Sequence, residues 1–335
     1  VSLLKQGIKT IFYPCIPYNR QEYSQSDNHY NCPVVAYYPE VLVANVGALS
    51  DVKVIYDYIN PSRRSDFENK IHGILSKYFD GITKTEVKSA CALAYNEYSA
   101  YMSKVKAKGD EYLASAKAAG APVIVLCGRP YHLDPEINHG IPEMITSYGV
   151  AVLTEDSVSH LASIERPLNV TDQWMYHSRL YAAANYVKTK DNLDLIQLNS
   201  FGCGLDAVTT DQVAEILNNS GKIYTSLKID EVNNLGAARI RVRSLLAAIR
   251  VREKKNEARQ IVSSAMNRVL FTEEMKKDYK IHTLEELLKN KVITYFQNGK
   301  LLNEAGKEYG KNIIKQYADK LMIEVGRKYD RTTLS

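Results

Sequence analysis

From residue 120 onward, apolar runs of strand length alternate with stretches whose apolar positions recur at helical spacing. That is the pattern of βαβ units and of a parallel sheet covered on both faces. It predicts strands at Pro122–Cys127, Val150–Thr154, Leu193–Asn199 and Lys222–Ile229, with helices near Glu136–Tyr148, Thr171–Val187 and Thr210–Asn219. Thr209-Thr210-Asp211-Gln212 reads as a T-x-x-Q capping box ahead of Val213, Ile216 and Leu217, so the last of these helices starts just after a loop at Cys203. A further helix, Ala237–Glu253, puts Val242, Leu245, Leu246 and Ile249 on one stripe, with Arg239, Arg243 and Arg250 on the other side.

Earlier in the chain, Thr10–Tyr13 reads as a short strand that runs into Pro14-Cys15-Ile16-Pro17, where the prolines end it. Residues 66–119 read as helical and carry Cys91, which its neighbours Ala90, Ala92 and Leu93 mark as a small buried hydrophobe. The expected architecture is therefore α/β: two lobes of partly doubly wound parallel sheet with flanking helices and a cleft between them. The lobes are residues 1–65 and 120–255, joined by a helical bridge over 66–119 and followed by a mainly helical, basic segment over 256–335. Within that last segment Val292–Phe296, followed by Asn298-Gly299, suggests an isolated strand and turn, and the change of pattern near Glu273–Ile281 suggests a boundary.

Composition narrows the class. With 335 residues, 45% hydrophobic and 24% charged, the chain is long and apolar enough for a large core, which excludes disordered and collagen-like classes. No run approaches the ~18 uninterrupted apolar residues of a membrane helix, so a soluble, cytoplasmic piece of a longer protein is expected. The net charge of +5 sits in residues 251–335, where 18 Lys and Arg face 12 Asp and Glu. The main body thus offers no electrostatic footprint for nucleic acid, and the mixed charges of the tail read as solvated helix. Five cysteines without a C-x-x-C pair exclude a secreted disulfide framework.

Cys15, Cys127 and Cys203 fall at the carboxyl ends of expected strands or in the loops that follow, where open α/β sheets hold ligands. Cys32 follows within the polar stretch Asp27-Asn28-His29-Tyr30-Asn31-Cys32-Pro33. Proline neighbours at Cys15 and Cys32, and glycines around Cys203, fix the loops and bare backbone N–H groups, as thiolate-bound iron–sulfur clusters need. The plainer alternative is buried structural thiols. Gly202-Cys203-Gly204-Leu205-Asp206-Ala207 also fits G-x-G-x-x-A between a strand and a helix, with Asp230 as its acidic partner, which points to a nucleotide instead. In the loop Gly128–Gly140, Arg129 is a candidate clamp for phosphate or carboxylate, and His132 and His139 are candidate proton carriers. A polar loop stitched by its own hydrogen bonds, with Asp134-Pro135 opening a helix, explains the same residues. His177, in Trp174-Met175-Tyr176-His177, reads as a half-buried structural histidine. Signatures of serine hydrolases, P-loop ATPases and zincins are missing from the sequence.

Four strings taken together carry a resemblance: Asp27–Pro33, Gly128-Arg129-Pro130-Tyr131-His132, Asp172-Gln173-Trp174-Met175-Tyr176-His177-Ser178-Arg179, and Asn199-Ser200-Phe201-Gly202-Cys203-Gly204-Leu205-Asp206-Ala207. Over about residues 1–255 the chain resembles a module of large anaerobic-bacterial proteins named CoA-substrate-specific enzyme activases, or acyl-CoA dehydratase activase-related proteins. That module is similar to subunits of 2-hydroxyacyl-CoA dehydratases, which hold a [4Fe-4S] cluster through three separated cysteines. The resemblance implies Cys15, Cys32 and Cys203 as cluster ligands, with a further ligand of the dehydratase pattern expected upstream of Val1. It also implies a cleft lined by Arg129, His132 and His139 toward substrate or partner. The partners it implies are an ATP-binding activator domain of the parent protein, an acyl-CoA and a second copy of the chain. The expected function is ATP-driven low-potential electron transfer to the acyl-CoA or partner. The alternative is a non-redox nucleotide-binding or docking module.

Overall fold

Two parallel sheets organise the chain, and they differ in how they are covered. The computed structural model describes residues 2–200, 202–229 and 235–270; Asp230, the Glu273–Ile281 boundary and the strand and turn at Val292–Gly299 lie outside the described residues. After a short helix α1 (Ser2–Lys5), strand β1 (Thr10–Phe12) enters the smaller sheet. Helix α2 (Pro33–Asn45) then leads to β2 (Lys53–Ile55), which pairs parallel with β1 in the register Thr10↔Lys53 to Phe12↔Ile55. The pairing continues past the prolines as a bridge from Cys15 to Tyr58.

Helices α3 (Arg64–Tyr78) and α4 (Lys84–Ala119) follow. A capping box starts α4: Thr83 Oγ1 accepts from the Glu86 N–H, and the Glu86 carboxylate accepts from the Thr83 N–H. Gly120 ends the helix in the left-handed conformation. Ile55, Ile59 and Ile74 form a small core here, with Ile16, Phe67, Ile71 and Tyr78 packed around it.

The larger sheet comprises β3 (Val123–Cys127), β4 (Ala151–Thr154), β5 (Leu193–Asn199) and β6 (Thr225–Lys228), all parallel in the order β4-β3-β5-β6. Every residue of β3, and all of β5 but Asn199, is buried, as the continuous apolar runs require. Val123, Val125, Leu193 and Leu195 pack into the main core with Ala182–Ala184 and Val187.

The connections are α5 (Pro135–Asn138), α6 (Ile141–Thr146), α7 (Glu155–Val158), α8 (Met175–Lys188) and α9 (Gly204–Asn218). The single helix expected over Glu136–Tyr148 is broken at His139 and Gly140, both in the left-handed conformation, which no continuous helix accommodates. Nor is Thr209 a cap: it lies inside α9, fully buried, donating to the Leu205 carbonyl one turn back, while Gln212 accepts from the Asn169 N–H.

Residues 1–242 form one compact unit. In the second unit, which begins at Arg243, the described part is the remainder of α10 (Gly236–Leu270). Its expected stripe, Val242, Leu245, Leu246 and Ile249, is the buried side, and Arg239, Arg243 and Arg250 are exposed. Among the described residues no helix is long and apolar enough to cross a membrane.

Candidate functional site

The strand order places the connection from β3 on one side of the sheet and that from β5 on the other. The crevice at the carboxyl ends of β3 and β5 is therefore the switch point, where open α/β sheets place their ligands. Arg129 follows β3 there, and Cys203 and Asp206 follow β5. Arg129 Nη2 donates to Asp206 Oδ1 at 2.6 Å and to Cys203 Sγ at 3.2 Å, and Nη1 donates to the Tyr131 hydroxyl at 2.8 Å. Arg129 is only 6% exposed and Asp206 4%. Burial opposes the charge on Arg129, but the Asp206 carboxylate and the Tyr131 hydroxyl hold the guanidinium protonated, with its pKa raised overall. The second Asp206 oxygen accepts from the Ser200 N–H at 2.8 Å and so ties the loop after β5 to the first turn of α9.

The turn after β3 is equally constrained. The Arg129 N–H donates to His132 Nδ1 at 3.0 Å, which leaves Nε2 as the protonated nitrogen of a neutral ring. A Cβ at Gly128 would stand 2.5 Å from that Nδ1, so glycine is required there. His132 is buried beneath the turn and shapes the loop, whereas His139 is an exposed helix cap outside the Arg129 cluster.

Glu155, at the end of β4, is 3% exposed and accepts from the Gly128 N–H. Burial and the neighbouring Asp156 push its pKa up to about 8. Burial, and then the Arg129 charge, pull the His177 pKa down to about 3. Sequence reasoning missed Tyr131, Glu155 and the pairing role of Asp206. Glu155 directly follows a strand end, which is a signal for it, whereas the pairing of Asp206 with Arg129 spans 77 positions and leaves none.

The four recognisable strings meet in pairs. Asp27–Pro33 lies on Asp172–Arg179: the Asp27 N–H donates to Asp172 Oδ1, the Asp172 N–H donates to Asp27 Oδ2, and Tyr30 bridges to Trp174. Arg166 closes this contact on Asp172 at 2.8 Å. The other pair is Arg129 with Cys203 and Asp206, and the Arg129 charge is felt at His177 of the first pair.

The cysteines occupy different settings. Cys15 is wholly buried where its backbone bridges to Tyr58, its pKa raised by burial. Cys32 caps α2 at half burial, Cys203 caps α9 partly exposed, and Cys91 and Cys127 are buried. Among the described residues no three His, Cys, Asp or Glu side chains stand together as a group able to hold a metal ion, so Cys15, Cys32 and Cys203 do not form one donor set there. The nucleotide-type loop differs. A Cβ at Gly202 or Gly204 would meet no atom within 4 Å, so space is open above both, at the N-terminus of the 15-residue helix α9.

Comparison with known proteins finds one family. The model of a family described as "CoA enzyme activase uncharacterised domain" matches residues 1–158, from before β1 through β3, β4 and Glu155. A search of curated proteins finds no match to the chain. The matched stretch includes Arg129 and His132 and stops short of Cys203 and Asp206, so their cluster joins matched and unmatched sequence. Over residues 1–158 the match supports a CoA enzyme activase-related module.

Proposed function

We propose that the chain is a binding module of a CoA enzyme activase system, and that the loop Gly202–Ala207 receives a nucleotide-bearing ligand, ATP or an acyl-CoA. The observation that carries this reading is the open space above Gly202 and Gly204 at the switch point of the larger sheet. The first-turn amides and the dipole of α9 suit a phosphate. Asp206 does not repel it at full strength, because its carboxylate is taken up by Arg129 and the Ser200 N–H. His132 and Gly128 keep Arg129 in place for that task.

Thermal unfolding of iron-free protein tests the proposal. A hundredfold excess of ligand over its Kd raises Tm by about 5 °C. A Cβ at Gly204 meets no other protein atom within 4 Å, so Gly204→Val is expected to fold, and its branched side chain takes up the open space and abolishes the shift. No protection of the wild type by either ligand, or full protection of G204V, overturns it.

One contact favours a second reading. At Cys203 a guanidinium donor and a helix N-terminus meet, surroundings that suit a metal-binding sulfur. In this reading the chain is an iron–sulfur module related to 2-hydroxyacyl-CoA dehydratases, with Cys203 a ligand of a [4Fe-4S] cluster that Cys15 and Cys32 would join only in an arrangement other than this one, where the three stand apart. An ATP-binding activator domain is then its partner in low-potential electron transfer to an acyl-CoA. Oxygen-protected protein with about four irons per chain, lost in Cys203→Ser, supports it. Folded protein without iron rejects it.

A further inference from the structure

A cleft of about 620 Å³ lies away from the switch point and shares no lining residue with the Gly202–Ala207 loop. Three parts of the chain build it: residues 20–25, one side of α4, and residues 156–164 after β4, with Arg179 of α8 behind them. The α4 side presents Tyr98, Ser99, Met102, Ser103 and Lys106. Their spacing keeps them on neighbouring turns, and Tyr98 and Lys106 stand about 12 Å apart along the axis.

The lining is charged, and its cations are not equivalent. Arg179 is neutralised, since Glu22 accepts from its Nε at 3.0 Å and from its Nη2 at 2.6 Å. Arg20 is held differently, over the rings of Tyr98 at 4.9 Å and Tyr95 at 5.5 Å. Lys106 is half-buried at the other end, near His160, whose pKa is lowered by burial and then by the Lys106 charge, against Asp110. Among the described residues neither Arg20 nor Lys106 forms an ion pair with a carboxylate of the chain. The remaining lining carboxylate, Asp156, accepts from the Thr154 hydroxyl. Of the lining hydroxyls, Ser99 donates to the Tyr95 carbonyl and Ser103 to the Ser99 carbonyl one turn back on α4, and Ser159 bonds the Tyr23 hydroxyl, so the two cations are the lining groups left to meet a ligand's charge.

A half-buried ammonium without a carboxylate is costly unless an anion completes it. Two cations facing one cleft from its two ends suit an anion that spreads its charge over several oxygens, as a phosphate does, better than a single carboxylate. We infer that this cleft is a second binding site, for a small phosphate-bearing molecule, gripped by Lys106 at one end and by Arg20 at the other.

Calorimetric titration of the full chain with inorganic pyrophosphate, and separately with succinate, tests the inference. Wild-type protein binds pyrophosphate saturably, and Lys106→Gln and Arg20→Gln each weaken it about tenfold or more. Both variants remove a cation at the cleft wall and leave the core untouched, and Gly204→Val keeps wild-type pyrophosphate affinity, which separates this site from the switch-point loop. No saturable binding, wild-type affinity in both cation variants, or succinate bound as tightly as pyrophosphate overturns the proposal.

Discussion

The two sheets of this chain solve the same problem with different means. The four-stranded sheet buries β3 completely and β5 up to its last residue, under helices on its faces. The two-stranded sheet leaves Phe12 52% exposed and Tyr58 40%, and α2 beside it leaves Val34 67% exposed along with Val35, Tyr37, Tyr38 and Val41. A pair of three-residue strands has too little surface to enclose a core of its own, so its stability rests on Ile55, Ile59 and Ile74 against α3. The larger sheet, by contrast, has enough buried apolar surface to support buried charges at its edge. The ionic cluster stands there for that reason, and the open aromatic surface belongs to the smaller sheet.

The largest break in this contrast comes from Asp206→Ala. It strands the Arg129 charge in a buried site and costs about 3–5 kcal/mol, read from urea unfolding of the larger sheet. Next, Leu195→Ala and Ile55→Ala compare the two cores. Leu195→Ala costs about 3–4 kcal/mol and Ile55→Ala about 2 kcal/mol, because the small cluster relaxes around the lost volume. Trp174, the single tryptophan, sits at the start of α8 and reports the first change; far-ultraviolet circular dichroism reports both. Equal costs at the two sites would erase the distinction.

The smallest effect is in pH. Glu155 has a folded pKa near 8, above its ordinary 4.5, so its contribution is fully present below about pH 4.5 and is lost as pH rises to 8. His177, with a folded pKa near 3, works in reverse: its contribution is present above about pH 6.5 and is lost as pH falls. Between pH 4.5 and 6.5 the two slopes, each at most about 1.4 kcal/mol per pH unit, offset one another. Glu155→Gln therefore turns a flat stability profile in that range into one that rises with pH. A profile that stays flat would remove Glu155 from this balance.

The larger sheet was legible because burial on both faces writes continuous apolar runs; Leu193–Asn199 appears in the structure with the bounds its sequence suggests. The smaller sheet was half legible. β2 has three residues and no run to detect, and α2 hid behind Pro33 and Pro39 in a Tyr- and Val-rich stretch that does not alternate. The capping box at Thr209 misled because a threonine that bonds one turn back inside a helix carries the same letters as one that caps it. At the site, residue types marked Arg129 and Cys203 as chemistry. The carboxylate that pairs with Arg129, Asp206, however, read only as one letter in a glycine motif, since an ion pair across 77 positions leaves no local trace.

One dimension of α4 limits how this chain can vary. Cys91 and Gly109 are both buried, and the offset of eighteen positions from one to the other makes about five full turns, so both point the same way. A Cβ at Gly109 would come within 2.8 Å of the Ser157 carbonyl oxygen, which fixes the helix's rotation at that end. Upstream, Tyr95 donates to the Pro61 carbonyl and fixes it at the other. Inserting or deleting one residue between these points would turn one end by about 100° relative to the other, and either the glycine contact or the Tyr95 bond would be lost. Point substitutions along the exposed side of this helix are tolerable, but its length in that interval is not free to drift.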